Sequence, residues 1–562
     1  MALRQSNDAA TIAHVLNRAA YGPRRGDWQH VEAVGVEAYI GEQLEPERIA
    51  DAEVEAKLEA LPSLKMDIAG LYRDYPPPQL AERLLREDEE LDEEARRRIA
   101  QQSRVPLQEL GAARLLRAVE SERQLNEVLV DFWFNHFNVF ANSGQVRYLL
   151  STYEREAIRP HVFGSFRAML GAVAHSPAML VYLDNWRSAA EEGRKVAGAP
   201  PRARNDAVED AIRRMARGGG RVDPRRLQRM QQRVQQAQRG NRPPGLNENY
   251  ARELMELHTL SVDGGYTQDD VREVARALTG WTLTLGARQA DDPGFVFRPD
   301  WHDAEEKRVL GTTLAAGRGV EDGEQVLDLL AEHPSTAGFI AVKLCRKLVA
   351  DQPPPDLVVE VAATFRRTGG DLRATTAAIL RSKEFLGPEH RAAKVKSPLE
   401  FFASAARALE VPVGTDGMLA RTLQLLGAPL YGASPPTGYP DTAAEWTSAN
   451  AILARLDVGS RLAAIVYGGE AAAGRAASGR RGRRGRGGER GPQGSAGERS
   501  GERGPQGSAG ERSDALLEQL LPGRAGDELR TKILAWADAQ DEAPDNAEIA
   551  ALILGSPEFQ RR

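Results

Sequence analysis

The chain has 562 residues, a single cysteine, 41% hydrophobic residues and a formal net charge of −6. One cysteine, Cys345, excludes an internal disulfide and a cysteine-based zinc cluster. Residues 188–242 carry 14 Lys or Arg against 6 Asp or Glu, residues 471–513 carry 10 Arg against 4 Glu, and the remainder has a net charge of −20. An acidic body with two basic segments argues against a nucleic-acid-binding core.

Alanine and Leu are abundant and β-branched runs are scarce, so helix is expected throughout. The start, Met1 to Asp8, shows no apolar h-region and no twin-arginine pattern. No run reaches the ~18 apolar residues of a membrane span. A soluble, cytoplasmic protein is the expectation. Residues 8–20 read as a first helix with Ile12, Val15, Leu16 and Ala19 on one face, ended by Gly22-Pro23. His14 in it reads as structural. Helices follow near 28–34 and 35–44, a Pro triplet at 76–78 marks a turn, and 79–103 reads as a charged, solvated helix.

The stretch Asp131-Phe132-Trp133-Phe134-Asn135-His136-Phe137-Asn138 ends a helix that begins near Ser121. Its aromatics require deep burial. Asp131, Asn135 and Asn138 form a strip at i, i+4 and i+7, and buried polar groups need partners. His136 is either a core histidine bonded to a carbonyl or, with Asn135, part of a polar cleft.

Two or three helices follow over 145–183. Residues 188–242 then read as an Arg/Gln-rich insertion, largely disordered. Asn247 offers the N-cap of a helix running to Leu260, and Gly264-Gly265 ends it. Asn249, Arg252, Glu253 and Glu256 share one side of that helix. They suit a solvated face with an Arg252–Glu256 pair, or a convergent polar site. His258 falls among the apolar residues. Thr267 and Asp270 have capping-box spacing for the next helix, which stops at Gly280.

Trp281–Leu285 and Phe295–Phe297 predict a small hairpin. It delivers Trp301-His302-Asp303 on a loop, where His302 and Asp303 suit an acid/base pair, a ligand pair, or a capping pair that fixes the loop. Residues 323–409 return to helix; Lys343 reads as an edge residue whose stem lies on apolar surface. Ile379 to Phe385 and Ile553 to Phe559 repeat a helix–Ser-cap–turn pattern. Residues 429–446, rich in Pro, Gly and Tyr, form a loop long enough to cover a cleft. Residues 471–513 are a Gly/Arg/Ser/Glu linker in which GERGPQGSAGERS occurs twice, and helices over 514–562 dock back on the core.

Several pieces carry a resemblance. Asn247-Glu248-Asn249-Tyr250-Ala251-Arg252-Glu253-Leu254, Glu256-Leu257-His258-Thr259-Leu260, Asp263-Gly264-Gly265-Tyr266 and Ala275-Arg276-Ala277-Leu278-Thr279-Gly280-Trp281 resemble the bacterial family known as domain of unknown function 1800. So do His302-Asp303 with Lys307 and Leu310-Gly311, the Trp133-x-Asn135-His136 core, and the Pro435-Pro436-x-Gly438-Tyr439-Pro440 loop. The family usually has Gly where this chain has Ser261. The resemblance brings no established activity. It implies frequent export among members, and genes that commonly lie beside those of another family resembling sulfatases.

The expected architecture is all-α: a multi-helical body with one hairpin near 281–297 and two disordered low-complexity insertions. Its parts are 1–187, the insertion 188–242, a motif-bearing core 243–470, the linker 471–513 and the helices 514–562. Three functional classes stay open. One is a helical partner or scaffold acting with a sulfatase-like protein, the motif residues forming a buried polar network. Another is a hydrolase or polymer-modifying enzyme, with Glu253, His302 and Asp303 as acid/base groups or ligands of a divalent metal and Asn135, His136, Asn249 and Arg252 binding substrate. The third is a polyanion binder using the basic segments.

Overall fold

In the computed structural model, residues 7–78, 93–197, 245–284, 294–415, 419–468, 504–540 and 542–562 are described. Most of the two low-complexity segments, 198–244 and 469–503, and the tip of the expected hairpin lie outside the described residues.

Side-chain capping starts many of the helices. Asp8 Oδ1 accepts the Thr11 N–H at 2.7 Å to open the helix Ala9–Arg18. Capping boxes form at Thr267/Asp270, as their spacing predicts, and at Ser397/Glu400, Ser508/Glu511 and Asp545/Glu548. The Ser508 box starts the helix Ala509–Leu520 inside the second GERGPQGSAGERS copy, so the expected linker ends earlier than 513. The insertion likewise begins later than 188. Ala190 N–H donates to Trp301 O, Ala304 N–H donates to Lys195 O, and Val196 bridges Asp303. Residues 188–197 therefore supply backbone partners that the 301–304 loop would otherwise lack.

The expected hairpin is present: β1 (Trp281–Leu283) pairs antiparallel with β2 (Phe295–Phe297), Trp281 opposite Phe297. A second hairpin joins β3 (Lys307–Val309) to β4 (Thr312–Leu314). Its two-residue turn, Leu310-Gly311, has φ of 49° and 80°, the conformation that matches strand twist. The rest of the described fold is helical.

The motif helix departs from a plain α-helix. Asn247 Oδ1 caps it by accepting the Asn249 N–H at 2.9 Å. The α-turns run only from Asn249 to Glu253, and Leu254–Thr259 is a π-helix. Thr259 Oγ1 donates to Leu254 O at 2.7 Å. The segment exits through Ser261 at φ 73°. That left-handed conformation explains why glycine is the usual residue there. A second π-helix spans Tyr153–Ile158. The wider turn also alters side-chain stacking: Arg252 meets Gln268 Oε1 at 2.7 Å and Glu248 at 3.8 Å, not Glu256.

Two hydrophobic cores result. The larger buries the aromatic helix Gln124–His136, with Trp133 1% exposed, against the motif helix and helices as far as Phe385. The second is built from the helices Val105–Glu120, Pro398–Ala408, Ala449–Tyr467 and the C-terminal helices. The 429–446 loop crosses between them.

Candidate functional site

The polar strip of the aromatic helix finds its partners in that loop. Asn135 Nδ2 donates to Tyr439 O at 2.9 Å, and Tyr439 N–H donates to Asn135 Oδ1 at 2.7 Å. One amide thus reads both backbone groups of one loop residue. Asn138 Nδ2 donates to Ala433 O at 3.0 Å and Pro435 O at 2.9 Å. Gly438, at φ 73°, lies so close that a Cβ there would fall 2.5 Å from Asn135 Oδ1 and closer still to its carbonyl oxygen. Tyr439 Oη donates back to Pro429 O at 2.8 Å, closing the loop on itself.

Beneath this loop lies a cavity of about 110 Å³. Phe132, Phe134, Tyr439 and Trp446 supply apolar wall, and Arg114, Asp131, Lys347, Glu400 and Arg562 line it with charge. The charges are paired. Arg114 bridges Asp131 and Glu154, each at 3.0 Å. Lys347 bridges Asp131 at 3.2 Å and Glu400 at 2.8 Å, and Arg562 reaches Glu400 at 2.8 Å. Behind them Arg159 spans Glu127 and Glu154, and Tyr431 Oη donates to Glu154 Oε2 at 2.8 Å. Burial disfavours the Glu154 carboxylate, but Arg159 and Arg114 outweigh it and hold its pKa down to about 2. Burial likewise opposes the Lys347 ammonium, yet Glu400 and Asp131 raise its pKa.

The other candidates fall elsewhere. His136 turns into the aromatic core, its Nε2 3.1 Å from His258 O and its ring against Phe132 and Phe137; burial pushes its pKa well down. His302 and Asp303 sit in a separate buried network. The His302 ring nitrogens face Thr279 O at 2.9 Å and Asp322 Oδ2 at 3.3 Å. Asp303 accepts two bonds from Arg276, at 2.8 and 3.2 Å, and one from the Glu305 N–H. Lys307, 1% exposed, donates to Asp303 O, Glu305 O and Asp322 Oδ2. Burial works against the Asp303 and Asp322 charges. Hydrogen bonds from Arg276 to the first, and from His302 and Lys307 to the second, hold both below the usual carboxylate range.

Glu253 stands between the two places. It is half-buried, and burial and then Glu256 raise its pKa. Its charge reaches Tyr182, pushed up to about 12 by burial and then by Glu253. Tyr182 Oη donates to Ser434 O at 2.7 Å, so Glu253 lies one side chain behind the loop. Asn249 is exposed. The cavity that Asn135 lines does not include Asn249, Glu253, His302 or Asp303. Among the described residues no three or more His, Cys, Asp or Glu side chains gather as metal ligands. The oxygens and nitrogens of Asp303 and His302 are already engaged by protein groups.

The family described as Protein of unknown function (DUF1800) matches residues 14–561. The chain belongs to this family. No curated protein and no solved structure matches it. Within the matched span, the charged groups Glu154, Arg114, Glu400 and Lys347 drew no notice in the sequence. Of these, only Glu400 carries a local signal, the Ser397-x-x-Glu capping box. No helix among the described residues is long and apolar enough to cross a membrane.

Proposed function

We propose that this chain is a non-catalytic helical partner acting with a sulfatase-like protein. The observation that carries the reading is an exposed apolar row. On the helix Ala449–Tyr467, Ile452, Leu453 and Leu456 are 47%, 62% and 37% exposed. Leu456 lies against Gly555, one turn from exposed Leu552 on the neighbouring helix. Contiguous exposed hydrophobics mark protein-interaction surfaces more often than chemistry. The engagement of His302, Asp303 and Asn135 by protein partners agrees with a network that fixes the fold. Co-expression with the sulfatase-like protein encoded beside a family gene should give a complex on size exclusion. Leu453→Glu with Leu456→Glu should abolish it while helix content is kept. A wild-type chain that never co-elutes, or a double variant that co-elutes equally well, would sink the reading.

One observation favours a second reading, a hydrolase or polymer-modifying enzyme. Glu253 is the one candidate carboxyl whose pKa is raised rather than lowered, which suits a general acid or base. In that case Glu253→Gln keeps the fold and removes turnover. If metal is involved, the same change lowers the divalent-metal content of purified protein. A Glu253→Gln chain that keeps wild-type metal content and activity eliminates this reading.

A further inference from the structure

A second place in the molecule concentrates cations without matching acids. A nook of about 10 Å³ opens where the first helix, residues 394–396, the helix Pro398–Ala408 and the C-terminal helices meet. Lys396 and Arg524 line it, with Asn17, Ser404 and Phe559. Lys396 is 3% exposed, and its ammonium sits 3.8 Å from the centre of the Phe559 ring. Among the described residues that ammonium has neither a hydrogen bond nor an ion pair. Arg524 donates only to the carbonyls of Arg561 and Glu558. Close by, Arg455 meets Gln560 and a carbonyl. Arg18, 0% exposed, donates once, to His390 O at 2.9 Å, and leaves Nε and Nη1 without partners.

Charge around the nook is therefore uncompensated. Arg18, Lys396, Arg455 and Arg524 form no ion pair among the described residues. Glu400, the acid whose charge reaches Lys396, is already shared by Lys347 and Arg562. Glu558 reaches Arg524 only at longer range. Burial, and then Arg524, depress the Lys396 ammonium. A guanidinium stays charged in proteins, so the arginines cannot escape by losing a proton. Buried charge without a partner is costly. The space holds about one water-sized sphere, which excludes tetrahedral oxyanions and organic acids.

We propose that this nook is a binding site for a single chloride ion, held by Lys396 and Arg524 with the second amide N–H of Asn17 beside it. Asn17 Nδ2 spends one N–H on Ala13 O at 2.8 Å, and Ser404 donates to Phe401 O, so the hydroxyl is committed elsewhere. The ion joins the first helix to the C-terminal helices and offsets the repulsion among the surrounding arginines.

The test uses the full chain. Urea unfolding is followed as chloride replaces gluconate at constant ionic strength. The folded-to-unfolded ratio should rise with chloride, about a hundredfold at a concentration about a hundred times the dissociation constant. Lys396→Met should remove that dependence. Because Lys396→Met could fail to fold, wild-type crystals grown in bromide give a second measurement, an anomalous peak in contact with Lys396 Nζ. Three results would overturn the proposal: no chloride dependence in the wild type, equal dependence in Lys396→Met, or a nook filled by water in saturating bromide.

Discussion

The clamp between Asn135 and the 429–446 loop makes a quantitative prediction. Asn135→Ala deletes two hydrogen bonds, at 2.9 and 2.7 Å, to the two backbone groups of Tyr439. At about 0.5–1.5 kcal/mol each, the loss is about 1–3 kcal/mol. Asn135→Asp should cost a similar amount, because its second oxygen would face the Tyr439 carbonyl. Gly438→Ala attacks the same contact from the other side. Its Cβ would lie 2.5 Å from Asn135 Oδ1 at a φ of 73°, and the left-handed conformation alone costs about 1–2 kcal/mol. Since Gly438→Ala already lifts the loop from Asn135, the double variant should be less destabilised than the sum by roughly 0.5–3 kcal/mol. Urea unfolding measures the free energies, and chymotrypsin cleavage after Tyr431, Tyr439 or Trp446 reports loop opening. Asn135→Ala within about 0.5 kcal/mol of wild type, or strict additivity with Gly438→Ala, would refute the clamp.

Three further outcomes follow from the same geometry. His14 and His258 are buried and neutral, each with a pKa lowered to about 3, by burial first. A depressed folded value means their stabilising contribution is intact above the ordinary 6.5 and is lost as pH falls towards 3. At pH 5 each should cost about 2 kcal/mol, and a flat stability profile between pH 7 and 5 would contradict their burial. Ser261→Gly should stabilise by about 1 kcal/mol through relief of its positive φ, read as a raised unfolding midpoint; a lowered midpoint would reject the strain argument. Glu154→Ala should destabilise by about 3–5 kcal/mol, since it strips a buried partner from Arg114 and Arg159. A loss below about 1 kcal/mol, the range of an exposed pair, would show that water reaches the network.

Local chemistry was legible in the sequence and distant pairing was not. The Thr267/Asp270 capping box and the β1–β2 pair depend on residues close in sequence, and the structure has both. The demand of Asp131, Asn135 and Asn138 for partners was also readable from their spacing. The identity of those partners was not, because Tyr439, Ala433 and Lys347 stand hundreds of positions away. Glu154 and Arg159 look like surface charges in one dimension; only the packing of Tyr431 and Arg114 over them makes them core. The π-turn at Leu254–Thr259 has no propensity signature, so an Arg252–Glu256 pair was expected where the widened turn prevents it. His302 and Asp303 read as a pair, but Arg276, Lys307 and Asp322, which occupy them, come from three other elements.

The loop over the cavity is pinned to a helix 304 residues upstream at Tyr439 and 295 upstream at Ala433. Contacts of such sequence separation form late, because chain-closure entropy is lost before they contribute. Helical signal should therefore return early in refolding, while the cavity stays unroofed through a slower phase. During that interval Phe132, Phe134 and Tyr431 lack their cover, and the chain is at its most aggregation-prone. Recovery of far-ultraviolet dichroism would then run ahead of recovery of chymotrypsin resistance at 429–446.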